Sequence, residues 1–128
     1  MKNLTLIIGA LYGLLSVLLG AFGAHALKKI ISVEKLQSFE TGVRYQMYAA
    51  LFLLIIGYIL KFETGTEKWI SIIMIVGTFL FSVSIYLLSM SEAWGTNFKF
   101  LGPITPLGGL LMIISWAMLI FYFAKNRF

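Results

Sequence analysis

Long apolar stretches separated by short polar connections are the main pattern of this chain. Four of them have the length of a membrane helix: Leu4 to Leu27, Thr41 to Leu60, Trp69 to Met90 and Leu101 to Phe123. The hydrocarbon core of a bilayer is about 30 Å thick, and a helix needs about 20 apolar residues to cross it. We therefore predict an all-α fold, a four-helix transmembrane bundle that forms a single membrane domain over residues 1–128.

The residues before the second apolar stretch have an amphipathic pattern. Ser32 can cap a helix on which Leu36 and Phe39 lie on one face and charged side chains lie elsewhere. We predict a short interfacial helix over residues 32–41 that runs into the second span. Arg44 then lies about one turn inside the membrane edge, from where its long side chain can reach the headgroups.

Small residues form a stripe on the first predicted helix, and a pair of glycines opens the fourth. In lipid, helices associate through close van der Waals contact, which small side chains allow. We expect these positions to pack against another helix, in the same chain or in a second copy: Gly9, Gly13, Ser16, Gly20, Gly108 and Gly109.

The start of the fourth span contains a proline. Pro106 suits the first turn of a helix, where its missing N–H would have no partner, and Thr105 is a suitable N-cap before it. The alternative is one longer helix that is kinked at Pro106.

Composition and charge agree with a membrane location. Hydrophobic residues make up 60% of the chain and charged residues 12%, so a soluble domain of this size could not cover its apolar surface. Cysteine is absent, which excludes disulfides and thiolate chemistry. The net charge of +5 comes from ten Lys and Arg that are spread over helix ends and loops. This distribution favours contact with lipid headgroups and not with nucleic acid.

The cations give no orientation under the positive-inside rule, because each side of a four-span protein carries five. The side of the termini carries Lys2, Lys61, Lys68, Lys125 and Arg127. The other side carries Lys28, Lys29, Lys35, Arg44 and Lys99. We expect a bacterial plasma-membrane protein with cytoplasmic termini, because an ion pair of Arg44 with Glu40 would leave the freer charges on the terminal side.

A cluster of polar residues is predicted where the first helix ends and the second begins: His25, Glu40, Arg44, Tyr45 and Gln46. Because both helix ends share a depth in the bilayer and unpaired polar groups there are costly, we expect these side chains to meet. Glu40 or Gln46 should then bond Arg44 or His25, directly or through one water.

Several blocks of the sequence resemble one family in order. They are residues 20–27 (GAFGAHAL), Thr41-Gly42, Tyr45-Gln46, Phe81-Ser82 with Ser84 and Tyr86, and residues 104–109 (ITPLGG) with Trp116. The chain resembles the YwdK-like and YgdD-like small bacterial membrane proteins of unknown function. The resemblance implies a four-helix integral protein of the cell envelope without an assigned activity.

One position departs from the family pattern. The family usually has a histidine three residues after the glutamine of its Tyr-Gln pair, and this chain has Ala49 there. His25 alone cannot complete a metal or haem site in one chain, so we expect no metal and no other cofactor. His25 is then either a proton carrier or a structural residue that bonds a neighbouring helix.

Three classes of function stay open. We favour a non-enzymatic bundle that associates with membrane lipids, a second copy or other membrane proteins. The alternative is an oligomeric small-solute or proton transporter that uses His25, Glu40 and Arg44. An enzyme or cofactor carrier is disfavoured, because the sequence has no acidic pair and no spacing of a nucleophile and a base.

Overall fold

The computed structural model describes residues 1–126 and confirms the four-helix bundle. Every regular element in these residues is helical: α1 (Lys2–Leu18), α2 (Ala24–Leu27), α3 (Val33–Ile59), α4 (Gly65–Trp94) and α5 (Ile104–Lys125). A π-helical turn, Leu19–Gly23, joins α1 to α2, and a 3₁₀ turn, Lys99–Leu101, precedes α5. Arg127, one of the cations assigned to the terminal side, lies outside the described residues.

The helix before the second span and the span itself are one continuous element. The hydroxyl of Ser32 accepts a hydrogen bond from the backbone N–H of Lys35 and caps α3. No proline interrupts the next residues, and α3 runs unbroken to Ile59. The predicted interfacial segment therefore forms the first turns of α3.

Successive long helices pack against each other as antiparallel neighbours, so α1 contacts α3, α3 contacts α4, and α4 contacts α5. α3 and α4 hold the centre, where Leu53, Ile70 and Met74 are fully buried. α1 also touches α4, because the hydroxyls of Thr5 and Ser71 lie 2.6 Å apart in the interior. This order places both ends of the described chain at one end of the bundle.

α4 and α5 cross with their backbones in direct contact. A Cβ atom added to Gly108 would lie 2.7 Å from the carbonyl oxygen of Gly77, and it would also overlap the backbone of Phe81. A Cβ added to Gly77 would lie 3.0 Å from the carbonyl oxygen of Gly108. Glycine on both helices therefore permits an approach that any other residue would prevent.

The small residues of the first span face α3. Cβ atoms added to Gly9, Gly13 and Gly20 would lie 3.0 Å from Leu53 Cβ, 3.7 Å from Ala50 Cβ and 3.3 Å from Val43 Cγ1. Ser16 lies in the same row and is buried. The partner of this stripe is thus a helix of the same chain.

We predict that Gly9→Ala lowers the free energy of unfolding by about 1–2 kcal/mol, whereas Gly13→Ala leaves it nearly unchanged. At Gly9 the new methyl group meets Leu53 Cβ and, at 3.2 Å, the carbonyl oxygen of Ala50, and neither can move without shifting α3. At Gly13 it makes an ordinary contact. Thermal unfolding in detergent would compare the two variants, and equal melting temperatures would contradict the prediction.

The start of α5 differs from the prediction. The helix begins at Ile104 with Pro103 at its N-cap, so Thr105 is not the cap and α5 is not a longer helix kinked at Pro106. The fixed φ of Pro103 suits a helix start, and Pro106 falls within the first turn, where no N–H is needed. The hydroxyl of Thr105 instead lies 2.6 Å from that of Ser84 on α4.

Candidate functional site

A buried glutamine on α3 joins three helices. Gln46 is 4% exposed, and its side-chain amide donates a hydrogen bond to the carbonyl oxygen of Tyr12 on α1 at 3.0 Å. Its amide oxygen accepts a hydrogen bond from the hydroxyl of Tyr86 on α4 at 2.7 Å. Interhelical hydrogen bonds of this kind fix the relative positions of membrane helices.

Hydroxyl groups extend this polar layer. The hydroxyl of Tyr12 donates to the carbonyl oxygen of Ile75 at 2.7 Å. The hydroxyl of Ser82 donates to the carbonyl oxygen of Gly42 at 2.9 Å. The small Gly42 allows the Tyr86 ring to lie directly over the α3 backbone. The layer therefore satisfies its own polar groups inside the bundle, as an apolar surrounding requires.

An apolar groove of about 520 Å³ lies between α1 and α4, with Gln46 and Tyr86 among its lining residues. Most of its walls are aliphatic and aromatic side chains from the two helices, and no described residue that lines it is charged. The α1 wall includes Ile8, Leu11 and Leu15, and the α4 wall includes Val76, Phe79 and Val83. The volume is in the range of small-molecule sites, about 300–1,000 Å³.

The predicted cluster does not form a network. Among residues 1–126, no hydrogen bond or ion pair joins any two of His25, Glu40, Arg44, Tyr45 and Gln46. The Arg44 guanidinium instead donates to the hydroxyl of Thr41 at 3.1 Å. His25 is exposed on α2, and Glu40 is partly exposed on α3.

Helical geometry explains this outcome. Residues two apart on a helix are about 200° apart around its axis, so they point in nearly opposite directions. Gln46 faces the bundle interior, and Arg44 therefore faces outward, where it is exposed. The Tyr45 ring lies between these two directions and packs against Tyr48 and Phe81, with ring centres 5.5 and 5.4 Å away. The α1–α4 groove includes only Gln46 of the five residues.

Sequence reasoning missed a buried carboxylate at the terminal end of the bundle. Glu67 is 3% exposed, and its carboxylate accepts hydrogen bonds from five donors of the α3–α4 loop and of α5. The donors are the N–H groups of Lys61, Phe62 and Thr64 and the hydroxyls of Thr64 and Tyr122. Thr64 and Glu67 also form a capping box at the start of α4. The Thr-x-x-Glu spacing before an apolar run was the signal that could have identified it.

The described residues hold no group of three or more His, Cys, Asp or Glu that could ligate a metal ion. The structure instead contains a hydrogen-bonded polar layer inside the bundle, the apolar groove beside it, and the α3–α4 loop bonded to Glu67 at one end. These features define the class of the protein as a compact multi-pass membrane bundle.

Comparison with known proteins assigns the family. Residues 19–109 match the model of a protein family of unknown function, DUF423. The UPF0382 membrane protein YwdK of Bacillus subtilis (strain 168) is 43% identical over 120 residues, which cover 90% of this chain and 91% of that protein. The UPF0382 membrane protein SH2409 of Staphylococcus haemolyticus (strain JCSC1435) is 42% identical, with 92% and 93% covered.

The chain therefore belongs to this family of bacterial membrane proteins of unknown function, and the resemblance noted from the sequence is confirmed. The relatives' names and the four apolar helices fit a location in a bacterial membrane. No solved structure matches the chain.

Proposed function

We propose that the protein is a non-enzymatic membrane bundle that holds one acyl chain of a bilayer lipid in the groove between α1 and α4. The observation that carries this proposal is the groove itself, an apolar space of about 520 Å³ beside a closed polar layer. Its depth in the membrane and the chemistry of its lining select the occupant.

The position of the groove along α4 supports a location in the hydrocarbon region. Its α4 lining runs from Ile75 to Tyr86, within about 10 Å of the middle of Gly65–Trp94 at a rise of 1.5 Å per residue. The hydrocarbon core extends about 15 Å on each side of the bilayer centre. Acyl chains are the molecules that fill the space beside a protein at that depth.

The polar atoms in the groove already have partners, which argues against a polar ligand. Both ends of the Gln46 amide and the hydroxyls of Tyr12 and Ser82 bond within the bundle. An entering polar molecule would have to break these bonds or remain unsatisfied, at a cost of about 1–3 kcal/mol per buried group. An acyl chain only has to make van der Waals contact with the walls.

A phospholipid with a photoreactive diazirine in the middle of one acyl chain provides the test. The protein is reconstituted with this lipid, irradiated and mapped by peptide mass spectrometry. We expect label on the α1 and α4 walls, and we expect Val83→Trp to remove most of it because the indole fills the groove. Ile113→Trp on the exposed face of α5 is the matched control and should leave the wall labelling unchanged.

Leu15→Trp fills the groove from the opposite wall, so the test does not depend on the folding of Val83→Trp alone. Melting curves establish that each variant is folded. Labelling spread evenly over exposed faces such as that of Ile113 would overturn the proposal. So would unlabelled groove walls in the folded protein, because the groove would then be covered by a second copy of the chain.

A further inference from the structure

A second cavity, of about 330 Å³, lies where α5 begins, beside the end of α4 and the start of α3. We propose that this cavity binds a phosphate group, as a phospholipid headgroup or as free phosphate. It shares no lining residue with the α1–α4 groove, so this site and the proposed acyl-chain site stand or fall separately.

A buried hydroxyl without a partner is the first observation. Ser89 lines the cavity and is 1% exposed, and its hydroxyl forms no hydrogen bond with any described residue. A buried hydroxyl without a partner costs about 1–3 kcal/mol, so most such groups are bonded. Ser38 brings a second hydroxyl to the same lining, whereas the hydroxyl of Thr105 is already paired with that of Ser84.

The charges around the cavity select an anion. Lys35 is the one charged residue among the described residues that line it, and no carboxylate lies in the lining. Thr105 and Pro106 in the first turn of α5 line the cavity, together with Gly102 just before the helix. The N-terminus of a helix carries about half a positive charge and leaves its first N–H groups without intrahelical partners.

No side chain caps the start of α5. Its N-cap is Pro103, which has no side-chain oxygen to accept from the first turn, and the structure has no side-chain cap there. By contrast, Ser32 caps α3 and Thr64 caps α4. Pro106 at the third helical position has no N–H, so the donors at this helix start are the N–H groups of Ile104 and Thr105, from which a phosphate oxygen would accept.

The depth of the cavity suits a headgroup. α5 has 22 residues, about 33 Å of helix, so its first turn lies near the boundary of a hydrocarbon core about 30 Å thick. Ile85 and Leu88 form an apolar part of the lining. A phosphate beside Lys35 and the α5 N-terminus could therefore sit above the first carbons of its own lipid.

Ligand-induced thermal stabilisation of the purified full chain in a neutral detergent tests the site. The probes are short-chain phosphatidylglycerol, diacylglycerol of the same chain length, and inorganic phosphate. We expect phosphatidylglycerol to raise the melting temperature and diacylglycerol to do so much less, because a ligand stabilises the folded state according to its affinity. A shift with inorganic phosphate alone would also support the site and would identify free phosphate as its ligand.

Variants assign the shift to this cavity. Lys35→Gln and Ser89→Ala should each lose most of it, whereas Lys28→Gln, which removes an exposed cation from the same end of the bundle, should keep it. Ser89→Ala should not lower the melting temperature without ligand, because the hydroxyl has no protein partner to lose. Equal shifts in Lys35→Gln and Lys28→Gln, or equal shifts with diacylglycerol and phosphatidylglycerol, would overturn the proposal.

Discussion

Gly108→Ala should lower the free energy of unfolding by about 3 kcal/mol, at the upper end of the usual cost of overpacking. The added methyl group would lie 2.7 Å from the carbonyl oxygen of Gly77 and would overlap the backbone of Phe81. Both obstacles belong to the α4 backbone, so no side-chain rotation can relieve the clash. The two helices would have to separate along their whole contact.

Two other glycines provide matched controls for this substitution. A Cβ on Gly109 would lie 3.5 Å from the Phe81 ring, an ordinary contact, and a Cβ on Gly65 would meet nothing within 4 Å. Gly109→Ala and Gly65→Ala should therefore stay close to the wild-type stability. The comparison is made by thermal or denaturant unfolding in detergent. If Gly108→Ala unfolded with the same midpoint as Gly109→Ala, the close crossing of α4 and α5 would be wrong.

The sequence predicted the spans well because a membrane imposes one strong rule on every segment. A helix that crosses lipid must remain apolar for about 20 residues, and this requirement is visible without knowledge of the neighbouring helices. Gly108 and Gly109 were both assigned to packing, but the sequence could not rank them. Their difference depends on which of the two faces the α4 backbone, and this is decided by the helix crossing.

The polar residues were harder to predict because direction matters as much as depth. Residues 44–46 do not share a depth with His25, because Gly23 lies opposite Phe39 and Gln46 bonds Tyr12, and of the three only Gln46 faces the interior. The π-helical turn at Leu19–Gly23 also changes the direction of residues after α1, and no pattern of apolar positions indicates such a turn. The partners of Gln46, Tyr12 and Tyr86, come from two other helices, so their meeting depends on the bundle.

Glu67 was missed for a different reason. The apolar pattern predicted that the third helix begins at Trp69 and that the preceding residues form a polar connection. The structure shows that α4 begins four residues earlier, with Thr64 as its cap. The capping box was thus readable from the sequence, but the bonds from Lys61, Phe62 and Tyr122 were not. They require the α3–α4 loop to fold back, with Phe62 at a positive φ of 57°.

The second large effect is expected at this carboxylate: Glu67→Ala should lower the free energy of unfolding by roughly 3–5 kcal/mol. The substitution removes the acceptor for three backbone N–H groups, of which that of Phe62 is buried, and for two hydroxyls. It also removes the capping box that starts α4. The loop that joins the two central helices and its link to α5 would both be lost.

Glu67→Gln should show an intermediate loss, because the amide keeps the volume and one acceptor oxygen but turns an N–H₂ group toward other donors. Glu63→Ala is the control, since it removes the same charge from an exposed position in the same loop and should change the stability little. Unfolding of the three variants in detergent, monitored by circular dichroism, gives the order of their stabilities. If Glu67→Ala were as stable as Glu63→Ala, the carboxylate could not be what holds the α3–α4 loop, and the bonds assigned to it would be wrong.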